Sequence, residues 1–144
     1  MALVEFQNNT APYLNAENLN NNFNYLDEKT QDIYSTNEIV IGKWIDGKPI
    51  YRKVLNLTSP SILNTNVSIA NLTSLNIESL IKLEGFLKGA DGRNLSINSP
   101  EPDYTITTTF INDTIEMKIE AVNWQQKNCI IIIEYTKTTD EGDE

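Results

Sequence analysis

Histidine is absent from this chain of 144 residues, and cysteine occurs once. Without histidine the chain lacks the commonest general base and the commonest metal ligand, which excludes nucleophilic triads and histidine-assisted metal hydrolysis. The single cysteine, Cys129, has no intrachain partner for a disulfide. Because Cys129 lies in the apolar run NCIIIIEY, we expect it to be a small buried hydrophobic residue.

Basic residues are also few: 11 Lys and Arg stand against 20 Asp and Glu, and the net charge is −9 at pH 7. This acidic balance argues against nucleic acid, whose phosphates need a basic footprint, and against an anionic membrane surface. No apolar stretch approaches the roughly 18 residues of a membrane-spanning helix. The first residues show no basic segment followed by an apolar run, so we expect no secretory signal.

Carboxylates are plentiful, yet their spacing gives little support for catalysis. Glu116 and Glu120 alternate with apolar positions, which is typical of a solvated strand face, and Glu101 and Asp103 lie in a predicted loop. A glycosidase needs two carboxylates facing each other across a sugar, an alternative that the sequence leaves open. Calcium could use loop residues such as Asp91, but no loop has a dense set of ligands. We predict no enzyme, no cofactor and no metal.

The chain changes character near residue 36, from a helical pattern to a pattern of strands. Asn15 is a favourable N-cap for a helix that extends to about Tyr34. Its apolar positions recur at intervals of three and four, the heptad spacing of a coiled-coil seam. A lone helix of about 20 residues with so narrow a stripe is marginal in water, so we predict association of copies. The alternative is packing on the β-domain of the same chain. The apolar seam residues are Ala16, Leu19, Phe23, Leu26 and Ile33, and Thr30 occupies the seam position between the last two.

Strand patterns and turn signals at regular spacing predict an antiparallel β-sandwich of seven or eight strands. Apolar residues alternate with charged ones from Ile115 to Ala121, as in a half-buried strand, and turns are expected at Asn112-Asp113 and over Gly89 to Gly92. The run CIIIIEYTK is apolar on both faces, which predicts a central strand or one covered by a neighbouring copy. The part between residues 57 and 76 has no clear assignment.

The string IGKWIDGKPIYRK contains a turn signal, Asp46-Gly47, suited to a two-residue type I′ hairpin. That turn would place Gly42 opposite Tyr51, and Trp44 opposite Pro49. Nothing in the string requires catalysis, so we interpret it as a structural hairpin at a sheet edge. Its basic residues then resemble edge charges that discourage further pairing: Lys43, Lys48, Arg52 and Lys53.

Aromatic residues are the stronger indication of binding, because sugar rings stack on tryptophan and tyrosine. Trp124 lies in the polar loop AVNWQQKN, whose amide side chains suit hydroxyl groups. The candidate ligand-binding residues are Trp124, Gln126, Tyr51 and Tyr104.

Three strings resemble parts of tail-fibre, baseplate and receptor-binding proteins of phages, or phage-tail-like particles, of Gram-positive bacteria. STNEIVIGKWIDGKPIYRKV resembles a recurrent segment of that family, CIIIIEYTKTTD is similar to its closing strand, and YLNAENLNNNFNYL is similar to the start of many phage tail proteins. Residues 57–76 match no part of the family. The family pattern Gly-x-Trp-x-Asp-Gly-Lys-Pro-x-Tyr falls on Gly42, Trp44, Asp46, Gly47, Lys48, Pro49 and Tyr51.

The resemblance implies a homotrimeric virion protein of the tail or baseplate, assembled in the host cytoplasm. Its N-terminus would join other tail or baseplate proteins, and its β-domain would bind a host cell-wall polysaccharide. We thus predict an attachment segment and trimeric coiled coil over residues 1–36, a β-sandwich over 37–138 and a disordered acidic tail over 139–144. The alternative is a structural joint or decoration protein of the phage head or baseplate that binds no receptor.

Phe23→Asp places a charge in the middle of the predicted seam, so it should weaken assembly while the β-domain stays folded. Light scattering after gel filtration measures the mass, and circular dichroism reports the strands. We expect a trimer for the unaltered chain and for Asn21→Asp, which lies off the seam, and a smaller mass for Phe23→Asp. If the Phe23 variant stays fully trimeric, the helix is not the main contact between copies.

Overall fold

A computed structural model describes residues 19–24, 32–101 and 104–142. The chain forms two compact units, residues 1–33 and 34–144. In the first unit residues 19–24 are helical, Leu19 is half-buried, and the side chains of Phe23 and Ile33 are 64% and 51% exposed. The other seam positions, Ala16 and Leu26, lie outside the described residues, so the trimeric coiled coil stays a prediction. No helix within the described ranges is long and apolar enough to cross a membrane.

The second unit is mainly β, and all of its strand pairs are antiparallel, which confirms the predicted class. Its described part contains a five-stranded sheet in the order β1-β2-β8-β4-β5 and a three-stranded sheet in the order β3-β7-β6. The strands are β1 Ile39–Lys43, β2 Pro49–Thr58, β3 Val67–Asn71, β4 Ile77–Lys88, β5 Asn94–Ser96, β6 Ile106–Ile111, β7 Thr114–Ile119 and β8 Asn128–Lys137.

Strand β8 occupies the centre of the larger sheet, as its apolar composition predicts. It pairs with β2 on one side and with β4 on the other. Burial raises the pKa of Cys129 to about 12, so the thiol stays protonated and unreactive. Alternate residues of β8 point to the core and are fully buried: Cys129, Ile131, Ile133 and Tyr135.

Both sheets contribute to one hydrophobic cluster. Strand β7 supplies Ile115, Met117 and Ile119, which are fully buried in the alternation that the sequence predicts. They belong to the same cluster as Leu87 of β4 and the inward residues of β8. Each fully buried aliphatic side chain contributes about 1.5–3 kcal/mol relative to an exposed one, so this cluster is the main source of stability.

The turn between β1 and β2 differs from the predicted two-residue turn. The N–H of Trp44 donates to the carbonyl of Lys48 at 2.8 Å, so the loop contains three residues. Gly47 takes the left-handed conformation at φ 83°, whereas Asp46 does not. The Asp46 carboxylate instead accepts the N–H of Lys48 at 3.0 Å. This is the hairpin in which a type I turn is followed by a glycine bulge.

The predicted strand register of this hairpin is therefore wrong. Val40, not Gly42, lies opposite Tyr51, and Gly42 pairs with Ile50 across a bulge in β1. Pro49 begins β2 and pairs with Lys43, not Trp44. Strand β2 is also an interior strand, because β8 pairs with its other side.

Two of the predicted edge charges are in fact held in ion pairs. Arg52 is buried and binds Glu134 at 2.8 Å, because the two residues are cross-strand partners on β2 and β8. Lys48 binds Glu78 of β4 at 2.5 Å. These charges join strands within one sheet.

The other two hairpins follow the prediction. Asn112 and Asp113 both have positive φ, 46° and 56°, and Ile111 pairs with Thr114, which gives a two-residue turn. The loop between β4 and β5 turns at Gly92, with φ 83°. The unassigned part of the chain, residues 57–76, contains the end of β2, all of β3 and a 3₁₀ turn over Thr73–Leu75.

The acidic C-terminal residues differ from the expected disorder. Residues 139–142 are described and lie against the first hairpin, where a Cβ on Gly142 would come within 2.3 Å of the carbonyl oxygen of Asp46. Asp140 is half-buried and its carboxylate accepts the hydroxyl of Tyr51. The acidic composition predicted a solvated tail because composition carries no information about these contacts.

Ile131→Ala should lower the free energy of unfolding by about 2–5 kcal/mol, because it opens a cavity in a fully buried part of β8. Chemical denaturation measures the loss. The matched control is Ile62→Ala, whose side chain is 57% exposed and should change stability by no more than about 0.5 kcal/mol. Equal losses in the two variants would contradict the position assigned to β8.

Candidate functional site

The four predicted ligand-binding residues do not form one site. Trp124 is only 4% exposed, so its ring faces are not available for stacking on a sugar. Gln126 is exposed, and its backbone N–H donates to the carbonyl of Pro60 at 3.2 Å. Tyr104 is half-buried against the hydrophobic cluster. Tyr51 lies near the start of β2, whereas the other three lie in loops.

Tyr51 is held by contacts within the fold. Its ring stacks on Tyr135 of β8, with centroids 5.8 Å apart, and the ammonium of Lys137 lies 4.2 Å from the ring centroid. The hydrogen bond to the Asp140 carboxylate raises the pKa of the Tyr51 hydroxyl. Tyr51 therefore joins β2, β8 and the C-terminal residues, which gives it a structural role.

Glu38 completes this group of side chains. Its carboxylate accepts hydrogen bonds from the Tyr135 hydroxyl and from the Lys137 ammonium. Burial by itself raises the pKa of Glu38, but the hydrogen bonds from Lys137 and Tyr135, together with the charges of Lys137 and Lys53, outweigh it and hold the pKa below its ordinary value. Burial likewise raises the pKa of Tyr135. The hairpin string and the closing-strand string are thus neighbours that bind each other.

A cavity of about 380 Å³ lies at the other end of β8. That volume falls within the range of small-molecule sites, roughly 300–1,000 Å³. One wall is the β4–β5 loop, and the other is the segment between β7 and β8. We name it the loop cavity, and its lining residues are Gly89, Ala90, Asp91, Arg93, Val122, Asn123, Trp124 and Lys127.

The first wall of the loop cavity repeats the shape of the β1–β2 turn. The N–H of Gly89 donates to the carbonyl of Arg93 at 2.7 Å, and the Asp91 carboxylate accepts the N–H of Arg93 at 3.1 Å. The guanidinium of Arg93 also binds Asp91, at 2.5 Å. The backbone N–H of Arg93, followed by its guanidinium, holds the pKa of Asp91 below its ordinary value. Asp91 is therefore a carboxylate at neutral pH.

The second wall is positioned by Ser59, which is buried at the end of β2. Its hydroxyl donates to the carbonyl of Trp124 at 2.7 Å and accepts the N–H of Lys127 at 2.8 Å. Its own N–H donates to the carbonyl of Lys127 at 2.9 Å. A Cβ on Gly89 would lie 3.2 Å from Cη2 of Trp124, so the two walls are in contact.

The lining of the loop cavity is rich in hydrogen-bond donors. Lys127 makes no ion pair with any carboxylate among the described residues, and Arg93 retains N–H groups beyond those that bind Asp91. The indole N–H of Trp124 is buried without a hydrogen-bond partner in the described part of the chain. In the same part, no three of the Cys, Asp and Glu side chains are grouped so that they could hold a metal ion.

Comparisons of the chain with protein-family models, with curated proteins and with solved structures find no significant match.

The two walls of the loop cavity come from distant parts of the chain, so no local sequence pattern predicts the cavity. One signal was present: Asp-Gly followed by a basic residue occurs at Asp46–Lys48 and again at Asp91–Arg93, and both strings form the same loop. Trp124, predicted as a stacking residue for a sugar, is instead buried and forms part of a wall.

Ser59→Ala should lower the free energy of unfolding by about 1–3 kcal/mol, because the carbonyl of Trp124 and the N–H of Lys127 lose a buried partner. Tryptophan fluorescence during urea denaturation measures stability, and a Trp44→Phe background, which leaves Trp124 as the one tryptophan of the sequence, reports the surroundings of Trp124. Ser61→Ala is the matched control, since Ser61 is exposed. A Ser59 variant as stable as the Ser61 variant would contradict the role of this hydroxyl.

Proposed function

We propose that the chain is a non-enzymatic structural protein of a phage tail, a small trimeric fibre or receptor-binding protein whose β-sandwich recognises a glycan of the host cell surface. The resemblance of the three strings to phage tail proteins supports this class of particle. The observation that supports receptor binding most directly is the placement of two unlike surfaces at opposite ends of the same sheet. They are separated by the length of β8, whose ten residues span roughly 30 Å.

One of these surfaces is apolar. Ile45, at the tip of the first hairpin, is 91% exposed, and Trp44 beside it is partly exposed. Val40 and Ile41 of β1 add further exposed apolar area. Exposed apolar residues grouped in this way are typical of protein contacts, so this end suits the association of copies or attachment to the particle.

The loop cavity at the other end is polar. Its amide, guanidinium and ammonium groups can donate hydrogen bonds to sugar hydroxyl oxygens, and Asp91 can accept one. A single open site of this kind binds weakly. A trimer would present three cavities to one polymer, and linked sites can raise the apparent affinity by a factor on the order of 10² to 10⁴ without new contacts.

The second candidate is a structural joint of the head or baseplate that binds no receptor. The exposed apolar residues of the first hairpin support it, because a joint needs surfaces for protein partners. In that case the loop cavity binds no glycan of the host cell surface.

The experiment applies fluorescently labelled protein to a strain that the particles carrying this chain infect. We expect the label to decorate the cells and to be lost after periodate oxidation of the surface glycans. Phe23→Asp should bind much more weakly, because it removes multivalency without touching the cavity. Absence of decoration, together with immunogold labels at a junction between virion parts, would contradict receptor binding and support the joint.

A further inference from the structure

The charge of the loop cavity is opposite to that of the chain as a whole. Its lining holds the cations Arg93 and Lys127 and the single carboxylate Asp91, which leaves a formal charge of +1 in a chain of net charge −9. Arg93 is already paired with Asp91, whereas Lys127 has no carboxylate partner among the described residues. A local positive site in an acidic protein favours an anionic group at that place and disfavours it elsewhere.

The donors around Lys127 suit a group with several acceptor oxygens. The Asn123 side chain offers an amide, and Arg93 offers guanidinium N–H groups that match carboxylate or phosphate oxygens. A neutral sugar could accept a hydrogen bond from the ammonium of Lys127 but would leave its positive charge without a counter-charge.

Two features of the loop cavity suit a sugar ring next to that anionic group. Asp91, held as a carboxylate by Arg93, can accept a hydrogen bond from a hydroxyl. Val122 is 66% exposed at the cavity and offers an apolar contact for the C–H face of a ring. Inorganic phosphate alone would use neither of these groups.

We infer that the loop cavity binds an anionic saccharide, a sugar that carries a carboxylate or a phosphate, with Lys127 as the main contact of the anionic group. This inference rests on the proposed function, because it names the class of glycan for the same site. It follows that binding should weaken as salt screens the charge of this open site.

The test is an NMR titration of the full chain with glucuronic acid, glucose 6-phosphate, glucose and inorganic phosphate, each at low and at moderate salt. We expect both anionic sugars to shift the amide signals of residues 89–93 and 122–127, with affinities about tenfold above that of glucose. Raising the salt should reduce this preference. Inorganic phosphate should bind more weakly than glucose 6-phosphate because it lacks the ring.

Lys127→Gln should lower the affinity for both anionic sugars by about tenfold and the weak affinity for glucose by much less, because the glutamine amide can still donate a hydrogen bond to a hydroxyl but carries no charge. Lys118→Gln is the matched control, because Lys118 lies on β7 in an ion pair with Glu120 and outside the cavity lining. Both substitutions are at partly exposed side chains, and circular dichroism checks that the variants are folded.

Equal binding of glucose and the anionic sugars, an unaffected Lys127 variant, or signal shifts outside the two walls would each overturn the inference. Equal binding of inorganic phosphate and glucose 6-phosphate would overturn its saccharide part. The inference and the proposed function can fail separately. If the Lys127→Gln variant decorates cells at the level of the unaltered chain, only the inference is contradicted. Sugar binding in the titration without decoration of cells contradicts only receptor recognition.

Discussion

The pairing of β8 with β2 and β4 is the interaction on which the rest of the structure depends. Strand β8 is paired on both sides, and its inward residues from Cys129 to Tyr135 are fully buried in the same hydrophobic cluster as the residues of β7. Strand β8 also connects the two ends of the domain. Its first residue follows Lys127 in the wall of the loop cavity, and its last residues contact the first hairpin and Glu38.

This arrangement separates structural from ligand-binding roles among residues that look alike in the sequence. Tyr51 and Trp124 are both aromatic residues beside polar ones, but Tyr51 stacks on Tyr135 and Trp124 is part of a wall. The string IGKWIDGKPIYRK shapes the domain by binding the closing strand. The ligand-binding proposal therefore rests on Arg93, Asn123 and Lys127, whose side chains the core does not use.

Local sequence patterns predicted the features that depend on residues close together in the chain. The alternation along β7, the central place of β8 and the turn at Asn112-Asp113 follow from periodicity and backbone preference. The register of the first hairpin did not, because an Asp-Gly pair is compatible with loops of two and of three residues. The backbone of Trp124 and the side chain of Arg52 are held by partners distant in sequence, Ser59 and Glu134, which no local pattern identifies. The loop cavity was beyond sequence analysis for the same reason.

Native-state hydrogen exchange of the full chain tests the central position of β8 most directly. If β8 holds both ends together, the amides of Ile131 and Ile133 exchange only through global unfolding and are the slowest in the chain, whereas amides of residues 89–93 and 122–127 exchange through local opening at a much lower free energy. Exchange of the β8 amides at a lower free energy than those of β6 and β7 would contradict the account.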